Sequence, residues 1–421
     1  MHIYFSGIGG VGLGPLAEMA HDAGFTVTGS DAAASPMTEQ LIARGITVAI
    51  GQDGNRIAAT HAQTPIEWLV YTAALAEDHP ELVFAREHGI RTSKRDELLA
   101  ELIRQKDLKL IAVSGTHGKT TTTGMLVWAF KQLGIPLSYA VGSSLDFADS
   151  GAYDASSSYF VYECDEYDRN MLKFRPEITV ITALDYDHPD SYPTPNDYQQ
   201  AFVDFINQSA HTLLWQKDLH FLDASRIVAP YEVFDAMADL LDIALPGEHV
   251  RQNAFLAWQV LQRLFPERER RSLLYAINSY PGSGRRFEKL DDNLYSDYGH
   301  HPAEIAATLQ LARELNDRVV LVYQPHQNVR QHELQHHYKD CMNLAEDIYW
   351  LPTYLTRENP ALRVLTPDEL TAELDNAPSV HIADKNDELW QTIQDARAVN
   401  KLVVVMGAGD IDAWVREHLT E

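Results

Sequence analysis

Gly115-Thr116-His117-Gly118-Lys119-Thr120-Thr121 is the stretch on which the reading of this sequence turns. The apolar run Leu108 to Val113 stands before it and the helix-forming run Met125 to Phe130 after it. A buried strand, a glycine turn ending in Lys-Thr and a helix together cradle phosphate, because backbone N–H groups and the helix N-terminus converge on an anion. Lys119 adds a positive charge, and Thr120 adds a hydroxyl suited to magnesium. The spacing departs from the strict nucleotide loop, which places Gly where Val113 stands. An ordinary strand-to-helix turn accounts for the glycines, but it has no use for a lysine followed by four threonines.

Towards the N-terminus, residues 2 to 6 read as a short strand running into Gly7-Ile8-Gly9-Gly10-Val11-Gly12. A helix carrying Leu16, Ala17, Met19 and Ala20 follows, then the strand Phe25 to Ser30 and the acidic Asp31. That order is a dinucleotide fingerprint, in which Gly7, Gly9, Gly10 and Gly12 let the backbone approach a pyrophosphate and Asp31 meets a ribose hydroxyl. It points to a diphosphate before it points to nicotinamide, and a tight turn in any compact strand-helix unit also uses glycine. Trp68 to Thr72 reads as a buried strand and Glu81 to His88 as a helix, and the charged helix Arg95 to Lys106 leaves this first domain.

Beyond the phosphate loop come a small-residue loop at Gly142-Ser143-Ser144, the strand Tyr159 to Tyr162 and the run Glu163-Cys164-Asp165-Glu166-Tyr167-Asp168. A second apolar strand, Ile178 to Thr182, leads to Asp185-Tyr186-Asp187-His188-Pro189-Asp190. Ligands of open parallel sheets collect beyond the carboxyl ends of strands, so both acidic clusters are expected to meet the phosphate loop. Glu163 and His188 are candidate magnesium ligands beside Thr120, since a hard cation prefers oxygen; taken singly, either cluster reads equally as a solvated acidic surface. Cys164 is expected to point to the opposite face and pack.

Pro246 to Ala254 opens a helix with Leu256, Ala257, Val260 and Leu261 on one face, and Tyr280-Pro281-Gly282-Ser283-Gly284 reads as a flexible joint ahead of Arg285-Arg286-Phe287. The last part has a helix from Ala303 to Leu315 and strands at Arg318 to Tyr323, Ile348 to Leu351 and Lys401 to Met406, the last running into Gly407-Ala408-Gly409-Asp410. Its strands end in polar groups, Gln324 to Gln327 and Tyr354 to Glu358. The expected fold class is α/β in three domains: 1–106, Rossmann-like; 107–283, a P-loop ATPase-like parallel sheet; and 284–421, Rossmann-like.

With 421 residues, 45% hydrophobic and 22% charged, the composition suits a globular multidomain protein. The 34 Lys and Arg against 60 Asp and Glu give a net charge of −26, which disfavours non-specific binding to nucleic acid or an anionic membrane. Cys164 and Cys341 are too few for a disulfide framework, and neither a leader-like N-terminus nor a membrane-length apolar run is seen. The expectation is cytoplasmic, as a monomer or homodimer, with no nucleic acid and no membrane partner.

Together these segments resemble the Mur ligases, ATP-dependent enzymes that build the peptide stem of bacterial peptidoglycan, and within them the branch adding L-alanine to UDP-N-acetylmuramate. The resemblance rests on Gly7 to Gly12 with Gly29-Ser30-Asp31, Gly115 to Thr123, Glu163 to Glu166 and Asp187-His188. It continues through His249 to Asn253, Arg285 to Phe287, Asp297 to Pro302, Gln324 to His326 and Gly407 to Ile411, in fixed order over nearly the whole chain.

The resemblance implies that the first domain holds the sugar nucleotide, with Gly7, Gly9, Gly10, Gly12, Ser30, Asp31 and Thr72 as contacts. It implies that ATP lies against Gly115, Thr116, His117, Gly118, Lys119, Thr120 and Thr121, with Asn253 an adenine contact, Arg286 a phosphate contact and Asp297 a ribose contact. One Mg2+ is then held by Thr120 and Glu163 and a second by Glu163 and His188, with Lys119 the charge on the transferred phosphoryl group and His326 and Arg330 the amino-acid side. His300 and His301 fit either a substrate role or a structural turn. Several family branches carry a carboxylated lysine about fifteen residues past the metal-binding His; Gln199 to Phe205 holds none, as in the alanine-adding branch. Gln327 stands where an Arg is expected, and Glu163 to Asp168 is also similar to the recycling ligase that joins a ready-made tripeptide to the same sugar nucleotide. Readings from other classes, a nicotinamide oxidoreductase or a nucleotide-gated scaffold, leave Lys119, Glu163 and His188 without a task.

Overall fold

The computed structural model describes residues 1–143, 145–188, 191–235, 242–356, 358–375 and 379–420. Ser144, Pro189, Asp190 and Arg357, named above in loop, acidic-cluster and strand-end stretches, lie outside the described residues.

Strands β1 (His2–Ser6), β2 (Thr26–Asp31), β3 (Thr47–Ile50), β4 (Trp68–Tyr71) and β5 (Arg91–Ser93) form a parallel sheet in the order β3-β2-β1-β4-β5. All five residues of β1 are buried, as a strand covered on both faces requires. Strand order reverses between β1 and β4, so the crevice where such sheets take ligands opens beside Gly7 and Thr72. Gly7 has φ +85°, and a Cβ there would lie 2.7 Å from Thr72 Cγ2, so glycine is required on both counts.

The second sheet comprises β6 (Lys109–Ser114), β7 (Ser138–Ala140), β8 (Gly151–Ala152), β9 (Tyr159–Glu163), β10 (Ile178–Ile181), β11 (Thr212–Trp215) and β12 (Tyr231–Phe234). Its order is β12-β11-β10-β6-β9-β7-β8, parallel except for the β7–β8 pair. Because β6 lies between β9 and β10, the phosphate loop, Glu163 and Thr182 emerge side by side at one edge. That edge is where anion and metal ligands can converge.

These two sheets belong to one compact unit, Met1–Asp239 with Leu256–Tyr280, and share one apolar core from Ile3 and Phe5 through Tyr162 to Phe202 and Phe205. The helix Arg95–Gln105 joins them by polar contacts. Tyr162 donates to Asp96 Oδ1 at 2.8 Å while its hydroxyl accepts from Arg95 at 3.3 Å, and Lys94 pairs with Asp168 at 3.1 Å and Lys173 with Glu97 at 3.1 Å.

The other unit is Leu240–Phe255 with Pro281–Glu421, so the division at Tyr280 and Pro281 falls in the stretch read as a joint. Its sheet is β13 (Glu288–Asp291), β14 (Leu294–Asp297), β15 (Val319–Tyr323), β16 (Asp347–Trp350), β17 (Val380–Ile382) and β18 (Leu402–Met406). The order is β13-β14-β18-β15-β16-β17, with only β13–β14 antiparallel. Apolar clusters cover both faces, one around Leu321 and Trp350 and one around Val322 and Ile393. Among the described residues no helix is long and apolar enough to cross a membrane.

Tyr162→Phe is expected to leave the buried Asp96 short of a donor and to lower stability by about 1–3 kcal/mol, read as an earlier urea midpoint at unchanged slope.

Candidate active site

The phosphate loop is laced to the chain leaving β10. Gly115 has φ +129°, and a Cβ on it would meet Thr182 Oγ1 at 2.6 Å and the Ala183 carbonyl at 2.7 Å. Thr116 N–H donates to the Ala183 carbonyl at 2.7 Å, the Thr116 hydroxyl donates to the Asp185 carbonyl at 2.7 Å, and the Thr182 hydroxyl donates to the His117 carbonyl. Gly118, at φ +85°, turns the chain into the helix Lys119–Gln132, whose first N–H groups face the loop. The Lys119 ammonium donates to the Gly115 carbonyl at 2.6 Å and lies 2.8 Å from Glu166 Oε2. Burial pushes this ammonium down, but Glu166 and Asp165 more than offset it, and its pKa is raised.

Two groups of metal-type ligands stand at this edge. The Thr120 hydroxyl donates to Glu163 Oε1 at 2.7 Å, and Gly142 N–H donates to Glu163 Oε2 at 2.7 Å. Asp165, Glu166 and His188 form the other group, each offering one ligand atom within 4.8 Å of the others. His188, expected as a metal ligand with Glu163, has its Nε2 3.3 Å from Glu166 Oε1. Burial alone would push His188 down, yet the hydrogen bond to Glu166 and the charge of Asp187 raise it. Asp168, Arg169 and His188 have φ of 52°, 55° and 59°, backbone that non-glycine residues adopt at a cost of about 1–3 kcal/mol each. This donor set, rich in carboxylate and hydroxyl oxygen, fits magnesium.

A cavity of about 590 Å³ opens between the two sheets of this unit. Gly10, Gly12, Thr72 and Arg95 line it from the first sheet; Lys119, Glu163 and Asp165 line it from the second. Asp31 lies beside the glycine loop and accepts from Gly9 N–H at 2.8 Å, so its carboxylate shapes that loop. The Ser30 side chain is fully buried and donates to Glu81 at 2.7 Å. Adjacent strand residues point to opposite sides, so the Ser30 and Asp31 side chains reach different neighbours, Glu81 and the glycine loop. Cys164 is buried in the core as expected, with its thiol pushed well up by burial. Sequence pattern assigns no role to Asp165 and Glu166, because alternation along a strand does not extend into the turn that follows.

In the other unit, Asp297 accepts from Phe287 N–H at 2.8 Å and Gly299 N–H at 2.7 Å, and burial raises it to about 6. Arg286 lies over the Tyr298 ring at 5.3 Å, and Asn253 is buried. His301 accepts from Ala303 N–H and caps the helix Pro302–Leu315, the structural alternative for that residue. His300 lies 5.9 Å from the His326 ring, which stacks on Tyr354, and burial pushes it down from 6.5 to about 4, with Arg330 adding to the shift.

Three parts of the chain match domains of one family: Mur ligase family, catalytic domain, over 2–107; Mur ligase middle domain over 113–233; and Mur ligase, glutamate ligase domain, over 285–409. A UDP-N-acetylmuramate–L-alanine ligase of Agathobacter rectalis is 31% identical, across 98% of this chain and 96% of that protein. The chain belongs to the Mur ligase family. As a Mur ligase it is an ATP-dependent enzyme forming a carbon–nitrogen bond, with three α/β domains. Its fold is similar to a UDP-N-acetylmuramate–alanine ligase from Thermotoga maritima (TM-score 0.70, 23% identity, 100% of this chain and 98% of that one). It is also similar in fold to a murein peptide ligase from Psychrobacter arcticus (TM-score 0.62, 24% identity, 100% and 98%).

Unfolded, His300 takes up a proton below about pH 6.5 that it refuses when folded until about pH 4. Stability held by the neutral ring is complete above 6.5 and is lost as pH falls towards 4. His300→Gln is expected to flatten this limb by on the order of 3 kcal/mol, read by urea unfolding at pH 7 and pH 4.5.

Proposed function

We propose that this Mur ligase joins L-alanine to the lactyl carboxylate of UDP-N-acetylmuramate through an acyl phosphate, in cytoplasmic peptidoglycan synthesis. The observation that carries the reading is the shared cavity, in which the glycine loop at Gly10 and Gly12 faces Lys119 and Glu163. A sugar nucleotide on the first loop and ATP on the second put a carboxylate and a γ-phosphate into one enclosure. Support for alanine comes from the named relative and from the absence of lysine in Gln199 to Phe205.

A carboxylate is a poor electrophile towards an amine and must first exchange an oxygen's charge for a leaving group. Its oxygen attacks the γ-phosphorus and ADP departs; the amine nitrogen then attacks the acyl carbon, loses its proton, and phosphate leaves with the oxygen it received. Lys119 presents its ammonium at the start of its helix, and the loop N–H groups from His117 to Thr120 donate to phosphate oxygens. Thr120 with Glu163, and Glu166 with Asp165 and His188, are the residues that would hold magnesium; when bound, it neutralises phosphate charge and aligns the oxygens. Asn253, Arg286 and Asp297 are assigned to the nucleotide, with Asp297 acting through the Phe287 and Gly299 amides it already holds. His326 and Arg330 are assigned to the amino acid, the guanidinium gripping its carboxylate by two hydrogen bonds. The domains are proposed to run 1–106, 107–283 and 284–421, hinged near Gly282.

Phosphate release from ATP with Mg2+ and UDP-N-acetylmuramate, run in parallel with L-alanine, glycine, L-serine and L-alanyl-γ-D-glutamyl-diaminopimelate, tests the assignment. Turnover with L-alanine is expected. Turnover with the tripeptide alone makes the enzyme the recycling ligase that Gln327 leaves open, and silence with every amine removes the sugar nucleotide as substrate.

Lys119→Met is expected to lower kcat about 10²–10³-fold. Glu163→Ala is expected to abolish turnover while UDP-N-acetylmuramate still binds, measured by calorimetry; equal loss of both would place the sugar nucleotide on the second sheet.

A further inference from the structure

Glu81 is a fully buried carboxylate to which the proposed chemistry assigns no role. It is the second residue of the helix Pro80–Glu87, and among the described residues no cation lies within ion-pair distance of it. Hydroxyl groups take that place. Tyr4 donates to Oε1 at 2.9 Å, Ser30 lies 2.7 Å from Oε1 and 2.8 Å from Oε2, and Ser6 donates to Oε2. The Gln52 amide donates to the Ser6 and Ser30 hydroxyl oxygens at 3.2 and 3.3 Å. With all three hydroxyl hydrogens turned to Glu81, those oxygens are left as acceptors for Gln52, and the network has one consistent direction.

Both serines flank the glycine loop. Ser6 is the last residue of β1 and precedes Gly7; Ser30 closes on the loop from β2, its carbonyl accepting Gly7 N–H at 2.9 Å and Ile8 N–H at 3.0 Å. Asp31, the next residue, holds Gly9 N–H. The loop is therefore pinned at Gly7, Ile8 and Gly9 by two successive residues of β2, and the side chain of Ser30 is held by Glu81 and Gln52.

We infer that Glu81 is a positioning residue for sugar-nucleotide binding: through Ser6 and Ser30 it sets the backbone of the Gly7 to Gly12 loop, without touching substrate. This rests on the proposed ligase reading for the identity of the ligand. The geometry of the loop itself does not depend on that reading.

Glu81→Gln replaces one acceptor oxygen with an amide donor, so one of the three hydroxyl groups loses its acceptor while the volume is kept. The expected result is a rise of at least tenfold in KM for UDP-N-acetylmuramate, with kcat and KM for ATP within twofold, because the ATP loop lies on the other sheet. Amide hydrogen exchange at Gly7 and Ile8 is expected to quicken at least tenfold, with exchange at Gly115 to Gly118 unchanged. Ser30→Ala should give the same pattern, and the double variant should lose no more than the larger single one. An unchanged KM, an equal rise in both KM values, or unaltered exchange at Gly7 and Ile8 would overturn the inference. If Glu81→Gln does not fold, Ser30→Ala decides by the same readouts. If the wild type fails to turn over UDP-N-acetylmuramate, the ligase reading has failed, and the exchange rates alone decide the role of Glu81.

Discussion

The ion pair of Lys119 and Glu166 is the constraint on which the rest of the site depends. Glu166 is 1% exposed, and its carboxylate is kept low against burial by Lys119 and by the His188 hydrogen bond. Removing either partner from such a pair leaves a buried charge without compensation, a loss of about 3–5 kcal/mol. The pair therefore fixes the phosphate loop, the acidic turn and the strand-end histidine as one object. It also explains how left-handed backbone at Asp168, Arg169 and His188 persists, since surrounding contacts over-determine it.

A second set of contacts turns that object towards the glycine loop. The helix Arg95–Gln105 leaves the first sheet and enters the second, and its first residues hold Tyr162 while its neighbour Lys94 holds Asp168. Gly12 has no Cβ, and one placed there would lie 3.2 Å from Arg95 Nη1, so loop and helix approach closely at the cavity wall. Two glycine-rich turns on separate sheets thus face one space. Neither turn alone distinguishes a ligase from an oxidoreductase or a simple nucleotide hydrolase; in the proposed reaction their juxtaposition does, because there it brings a second anion to the transferable phosphoryl group.

Much of this was legible in the residues. Lys119 and Thr120 after a buried strand announce a phosphate turn, and acidic runs closing two apolar strands announce the ligand edge of a parallel sheet. The pairing of His188 with Glu166 was not legible, because Glu166 lies past the end of its strand, at the entry to the short helical turn Tyr167–Lys173, where strand alternation no longer applies. Short strands such as β7, β8 and β17 carry too few residues for a periodic signal. The network at Glu81 draws on Tyr4, Ser6, Ser30 and Gln52, residues far apart in sequence that no local pattern connects.

The central claim is that a substrate carboxylate attacks the γ-phosphate within the shared cavity. Turnover of UDP-N-acetylmuramate labelled with ¹⁸O in both lactyl carboxylate oxygens tests it most directly, with mass analysis of the phosphate and amide products. One ¹⁸O atom in each phosphate and one retained in each amide is the predicted result. Unlabelled phosphate, with both labelled oxygens elsewhere, would contradict the acyl-phosphate route and the role given to the facing loops.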